Sequence, residues 1–436
     1  MRSIMKKLGA AIVAGAMLCS VSACGNSASG SGDDNKLTIA WWGNQQRNDR
    51  MGQIDKMFEE QNQGVSIDGQ FSEFYDYWQK LSTNAAGKSM PDIIQMDYIY
   101  LNRYIESGLL QDMQPYIDDG TINLDNVDDK VIEPGQKDGK TYALVNAVNA
   151  PVLVYNKTLL DNAGITVPEN MTLDEFESIS KQVYEKTGYK TNFYYYETCN
   201  VMEYLLRGEG VQLFEDTKLG VDSAAQLEEY FNVYQTGIKE GWHLAPEVYT
   251  EIKVGSNDQN PLVYGSDPSH RSWVTFAFTN NVSAFQSSMP NGDKVAVANW
   301  PSSNTTKSNY VKPSQFFAIS RDCKNPKLAA KWIDFYTNNE DANKILLTDR
   351  GLPISSKIQT AIKPSLDESD VTAMDFLNDV IIPNSSTINP AWPSAASTVG
   401  TKVLPTIEES LCYGTIDAKT AAQQFFDQAN ETLAKG

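Results

Sequence analysis

The sequence predicts an α/β protein of two units, each a mainly parallel sheet flanked by helices. Two observations carry this. Short β-branched and apolar runs alternate with stretches whose apolar residues recur at helical spacing, the pattern of parallel strands joined by helical crossovers. About 400 residues follow an N-terminal leader, more than a single hydrophobic core usually supports.

The leader comes first. Arg2, Lys6 and Lys7 form a basic start, and Leu8 to Leu18 is an apolar run. That run is well under the ~20 residues needed to cross a bilayer, so residues 1–23 read as a cleaved targeting segment. Val21-Ser22-Ala23-Cys24 matches a bacterial lipobox, which implies lipid on Cys24. Residues 24–35 are nearly all Gly, Ser, Asn, Ala and Asp, a composition that buries no core and behaves as a flexible tether. The expected location is the extracellular face of a bacterial cell membrane, anchored by lipid.

Leu37 to Trp42 is a first strand, and Gly43 to Asn48 reads as a polar loop. Met51, Ile54, Met57 and Phe58 then mark one face of a helix. Val65 to Phe71 is a second strand, Phe74 to Ala86 a helix, Asp92 to Met96 a third strand, and Leu101 to Leu110 a helix. Asp138-Gly139 predicts a β-turn, after which residues 141–155 are extended. Thr172 and Glu175 form a capping box opening a helix with Phe176, Ile179 and Val183 on one face. Another helix spans Leu227 to Ile238, and strands span Val295 to Asn299 and Gln315 to Ile319. Asn325-Pro326 caps a helix carrying Leu328, Trp332 and Ile333, and a last helix starts at Asp417.

Composition excludes several function classes. Net charge is −19, and removing Arg2, Lys6 and Lys7 with the leader takes it to −22. A nucleic-acid partner needs clustered Lys and Arg, so none is expected. Cys199, Cys323 and Cys412 remain after the leader and Cys24; three is odd, no metal spacing occurs, and they read as small buried residues. The only histidines, His243 and His270, sit in no catalytic motif and read as surface or loop residues. No cofactor, metal or catalytic residue is expected, and the chain is expected to be a monomer.

Several local patterns resemble one family. They are Leu37 to Trp42 as an opening strand; Pro91-Asp92-Ile93-Ile94 leading a third strand; Asp138-Gly139-Lys140 followed by Tyr155-Asn156-Lys157 and Ala163-Gly164-Ile165; and Asn325-Pro326-Lys327 with Gly351-Leu352-Pro353. In order and spacing they resemble family 1 extracellular solute-binding proteins, the sugar-capturing proteins of ABC importers. The resemblance implies a two-lobed clamshell with three hinge crossings. Its lobes would be residues 36–143 plus 302–352, and 144–301 plus 353–436. It also implies a carbohydrate ligand delivered to membrane permease subunits, and long aromatic loops point to an oligosaccharide over a monosaccharide.

A sugar offers flat C–H faces and a rim of hydroxyls, so its site needs aromatic plates beside amides and carboxylates. In the first lobe the candidates are Trp42, Asn48 and Asp49 after the first strand, Tyr75 and Tyr77 after the second, and Asp97 and Tyr98 after the third. Where the family often has proline this chain has Val145, so Asn146 and Asn149 join the set. In the second lobe the candidates are Tyr195, Tyr196, Glu197, Trp273, Phe278, Asn280 and Trp300. Trp392, held in a loop by Pro390 and Pro393, falls where relatives carry a stacking tryptophan. Trp78 and Trp332 read as core. Two other readings stay open: a secreted carbohydrate-active enzyme using paired carboxylates, and capture of a cation such as a polyamine by Asp49, Asp97 and Glu197.

Overall fold

The computed structural model describes residues 35–43, 45–193, 199–254 and 256–435. The principal strands are β1 (Lys36–Trp42), β2 (Ser66–Ser72), β3 (Ile93–Met96), β4 (Leu144–Asn149), β5 (Pro151–Asn156), β6 (Val274–Phe278), β7 (Val295–Ala298), β8 (Lys312–Ile319) and β9 (Leu352–Pro353). The principal helices are α1 (Gln45–Gln61), α2 (Phe74–Gly87), α3 (Tyr98–Glu106), α4 (Leu173–Thr187), α5 (Asn200–Glu209), α6 (Glu228–Glu240), α7 (Pro326–Asn338), α8 (Leu404–Cys412) and α9 (Ala418–Leu433).

A six-stranded sheet has the order β9-β4-β8-β3-β1-β2, and a three-stranded sheet the order β6-β5-β7. In the first sheet β1 runs parallel to β2 and β3, as the alternating pattern predicts. β8 enters between β3 and β4 antiparallel to both. In the second sheet β5 is antiparallel to both neighbours, so the expectation of a mainly parallel second sheet is corrected. The cause is the same in each case. β6 and β7, joined through a short helix, are parallel to each other, but β5 arrives between them from the other sheet. β8 likewise arrives from the second sheet. A strand inserted by a crossing brings its own direction.

The chain passes between the sheets at Ala150, again between β7 and β8, and again after β9. β4, assigned from sequence to the second lobe, is therefore a strand of the first sheet. Each sheet has its own core. One is built on Ile39, Trp41, Ile93, Phe317 and Trp332, the other on Phe176, Phe193, Trp273, Trp300 and Phe425. Alternation puts Trp41 and Trp42 on opposite faces of β1, yet both are buried, because helices cover both faces. Trp41 needs Gly69 on β2, where a Cβ would come within 2.5 Å of the indole ring.

Local signals behave as their chemistry requires. Asp138 and Gly139, with φ of 53° and 74°, make the turn of a small hairpin. Thr172 and Glu175 form the reciprocal capping box of α4. Asn325 caps α7 with Pro326 in its first turn. Cys199, Cys323 and Cys412 are free and buried. His243 differs: it is buried, and burial pulls its imidazole down to about 4. Among the described residues no helix is long and apolar enough to cross a membrane.

Candidate functional site

The loop after β3 reaches toward the second sheet through Asp97 and Tyr98, and the carboxyl end of a parallel strand is the usual place for a ligand in an open α/β fold. Asp97 follows β3 and caps α3, accepting the Ile99 N–H at 3.1 Å. Tyr98 stands next to it with its ring stacked on Phe316, centroids 6.3 Å apart. Its hydroxyl donates at 3.0 Å to the backbone oxygen of Asn389, which belongs to a segment packed on the second core. Burial, and then the Glu203 charge, pushes the phenol up to about 12, so it remains a donor.

Lys312 opens β8 beside Asn149 of β4, and its ammonium lies 5.6 Å from the centre of the Phe278 ring at the end of β6. Burial lowers its pKa and the neighbouring Asp97 opposes that. Asn149 donates to Ser314 Oγ at 2.6 Å, while its Oδ1 has no partner among the described residues. Phe278 rests on buried Trp300, ring centres 5.9 Å apart, and Asn280 is exposed on the next turn.

On the opposite wall, α5 supplies Glu203 and Arg207. Glu203 accepts the Trp392 indole N–H at 2.8 Å and the Asn389 amide N–H at 2.6 Å. Arg207 donates to Asn389 Oδ1, to Ser386 Oγ at 2.6 Å and to the Thr387 and Ser308 oxygens. Its guanidinium also lies 5.0 Å from the Tyr310 ring centre. Burial raises the Glu203 carboxyl against the pull of its two donors and Arg207. Trp392 is half-buried, with Phe214 against it at 5.1 Å.

The structure thus brings together Asp97, Tyr98, Asn149, Phe278 and Trp392, while Asn280 is an exposed residue just beyond Phe278. Other expectations are corrected. Tyr77 is a core residue of α2 whose hydroxyl donates to the Gln95 and Ala40 backbone oxygens. Trp273 is fully buried and donates to Thr191, and Trp300 is fully buried beneath Phe278. Trp42 is covered by Phe74, Tyr77 and Trp78 at 5.2–5.5 Å. Asn48 and Asp49 lie in α1, not a loop, and Asp49 holds Gln45 at 2.7 Å. Asn146 is not among these corrections: it is buried in β4 like Asn149, and its amide has no partner among the described residues. Cys24, the Tyr75 side chain, Tyr195, Tyr196 and Glu197 lie outside the described residues.

Sequence reasoning missed Lys312, Glu203, Arg207, Asn389 and Tyr310. Glu203 and Arg207 left a trace: two opposite charges one turn apart in the otherwise apolar run Val201 to Arg207, where charge is rarely buried without a task.

The profile of the bacterial extracellular solute-binding proteins matches residues 53–365. This chain belongs to that family. It is similar to the maltodextrin-binding protein MdxE of Bacillus subtilis (strain 168), 22% identical over 423 residues, covering 91% of this chain and 92% of that one. It is similar to the diacetylchitobiose-binding protein DasA of Streptomyces coelicolor (strain ATCC BAA-471 / A3(2) / M145), 29% identical over 42% of this chain and 44% of that one. Among solved structures, a family 1 extracellular solute-binding protein from Alicyclobacillus acidocaldarius subsp. acidocaldarius DSM 446 superposes with a TM-score of 0.81. It is 26% identical and covers 92% of this chain and 98% of that one. The solute-binding family member described here is accordingly a two-lobed mixed α/β clamshell.

Proposed function

We propose that this protein captures an oligosaccharide between its lobes without altering it and delivers it to the permease subunits of an ABC importer. One observation carries the reading. Trp392, Tyr98 and Phe278 surround the junction of the two sheets, with Lys312, Asn149 Oδ1 and Asp97 among them as donor and acceptors. Aromatic plates beside polar groups suit the C–H faces and hydroxyls of a sugar. The relatives named for maltodextrin and diacetylchitobiose support the same solute class.

The first lobe comprises residues 36–149 plus the β8–β9 region, and the second most of the remainder. The chain acts as a monomer, held at the extracellular face of the cell membrane through lipid on Cys24. The carboxylates of the site favour a binder over an enzyme: both Glu203 oxygens are occupied by fixed donors, and Asp97 caps a helix.

The test is a thermal-shift screen of residues 35–436 against maltodextrins, diacetylchitobiose and other oligosaccharides. A bound sugar at 100 times its Kd adds about 2.7 kcal/mol of stability and raises the melting temperature. New reducing ends in the mixture, or a panel with no shift at all, would refute the reading.

A further inference from the structure

Trp392 lies in residues 385–393, a stretch in neither helix nor strand, so no backbone ladder fixes its ring. What holds it comes from α5. Glu203 and Arg207 are both buried, and buried ions are retained at a cost in desolvation. Their hydrogen bonds show what they hold. Arg207 anchors Ser386, Thr387 and Asn389, and its Nε donates at 3.0 Å to the Ser308 backbone oxygen. Glu203 takes the Asn389 amide on Oε1 and the Trp392 indole N–H on Oε2, so its two oxygens tie the ring to the anchored part of the loop. Phe214 closes the other side of the indole, its ring at 64° to it.

We propose that Glu203 is a positioning residue for the Trp392 plate: it fixes the plane of the indole from below and touches no solute itself. The positioning is a property of the free protein. Its purpose rests on the oligosaccharide reading above. Trp392 has one polar atom, and a carboxylate clamped by Asn389 is the acceptor that sets its orientation. Glutamine is isosteric with glutamate, yet its single carbonyl oxygen serves only one of the two donors and turns an NH₂ group toward the other.

The first test needs no solute. Acrylamide quenching of Trp392 is isolated as the difference between each protein and the same protein carrying Trp392→Phe. The variant read is Glu203→Met, which keeps the side-chain length and offers neither donor an oxygen: with the indole hydrogen bond lost, the Stern–Volmer constant of that difference should rise about twofold. Far-UV circular dichroism and the melting temperature report that the variant is folded. The second test is a double-substitution cycle on maltotetraose affinity. Glu203→Met and Trp392→Ala should each weaken binding, by about tenfold for Trp392→Ala, and together no more than Trp392→Ala alone. An unchanged difference quenching, or losses that simply add, overturns the proposal. Raised quenching in a protein that binds no maltotetraose supports the positioning role and counts against the maltodextrin form of the sugar reading.

Discussion

Asp55 shows at the scale of one residue how cover sets chemistry. It sits on α1 facing the first sheet and accepts the Trp332 indole N–H at 3.0 Å. Burial is the main cause that pushes its carboxyl up to about 7; Glu59 adds to this, and Trp332 and Arg350 oppose it. A raised acid binds its proton more tightly in the folded state. Its contribution to stability is therefore complete below the ordinary carboxyl pKa and is lost as pH rises through about 7. Asp55→Asn keeps an acceptor for Trp332 and has no proton to lose. The variant should melt close to the wild type at acid pH and above it at pH well beyond 7; parallel melting curves against pH would refute this assignment. His243 works in the opposite sense, its contribution fading as pH falls from the ordinary imidazole value toward about 4. Neither environment was legible in the sequence, because burial is a property of what folds over a residue. The aromatics make the same point. Trp273, Trp300 and Tyr77 are core, while Trp392 is half-buried, and only Trp392 announced its place through two flanking prolines.

At the scale of elements the local signals were readable because their cause is local. The Thr172–Glu175 box satisfies donors within four residues of each other, and α4 begins where it does for that reason. Thr172→Ala should cost about 1 kcal/mol in urea unfolding with an unchanged m-value, and no loss would mean that packing alone sets the helix start. Elements fixed by distant partners were not readable. The segment after β1 looked like a polar loop, yet it becomes helical at Gln45. Arg47 there reaches Asp349 at 3.1 Å, and Arg50 reaches the Leu346 oxygen at 2.9 Å, some three hundred residues along the chain. Strand direction was hidden likewise: alternation marks a strand without naming the neighbour it joins.

For the whole molecule, the segment around Asn389 bridges both cores. Lys130 donates to the Ile382 and Ser385 oxygens, Thr387 donates to Glu133, and Tyr98 donates to the Asn389 oxygen, while Arg207 and Glu203 hold the segment from the other side. Tyr98→Phe removes one of these links and leaves the ring stacked on Phe316. A net hydrogen bond contributes about 1 kcal/mol, so the equilibrium between closed and open lobes should move about fivefold toward open. Small-angle scattering of the unliganded protein would show a larger radius of gyration; superimposable profiles would exclude Tyr98 as a latch.

The insertion of β8 between β3 and β4 carries one more consequence, for biosynthesis. A ribosome delivers β3 and β4 long before their shared neighbour exists, and the gap between them stays open until residue 319 has emerged. The nascent N-terminal half is thus denied a finished sheet of its own. The six-stranded sheet can therefore close only after about three-quarters of the 436 residues have been made.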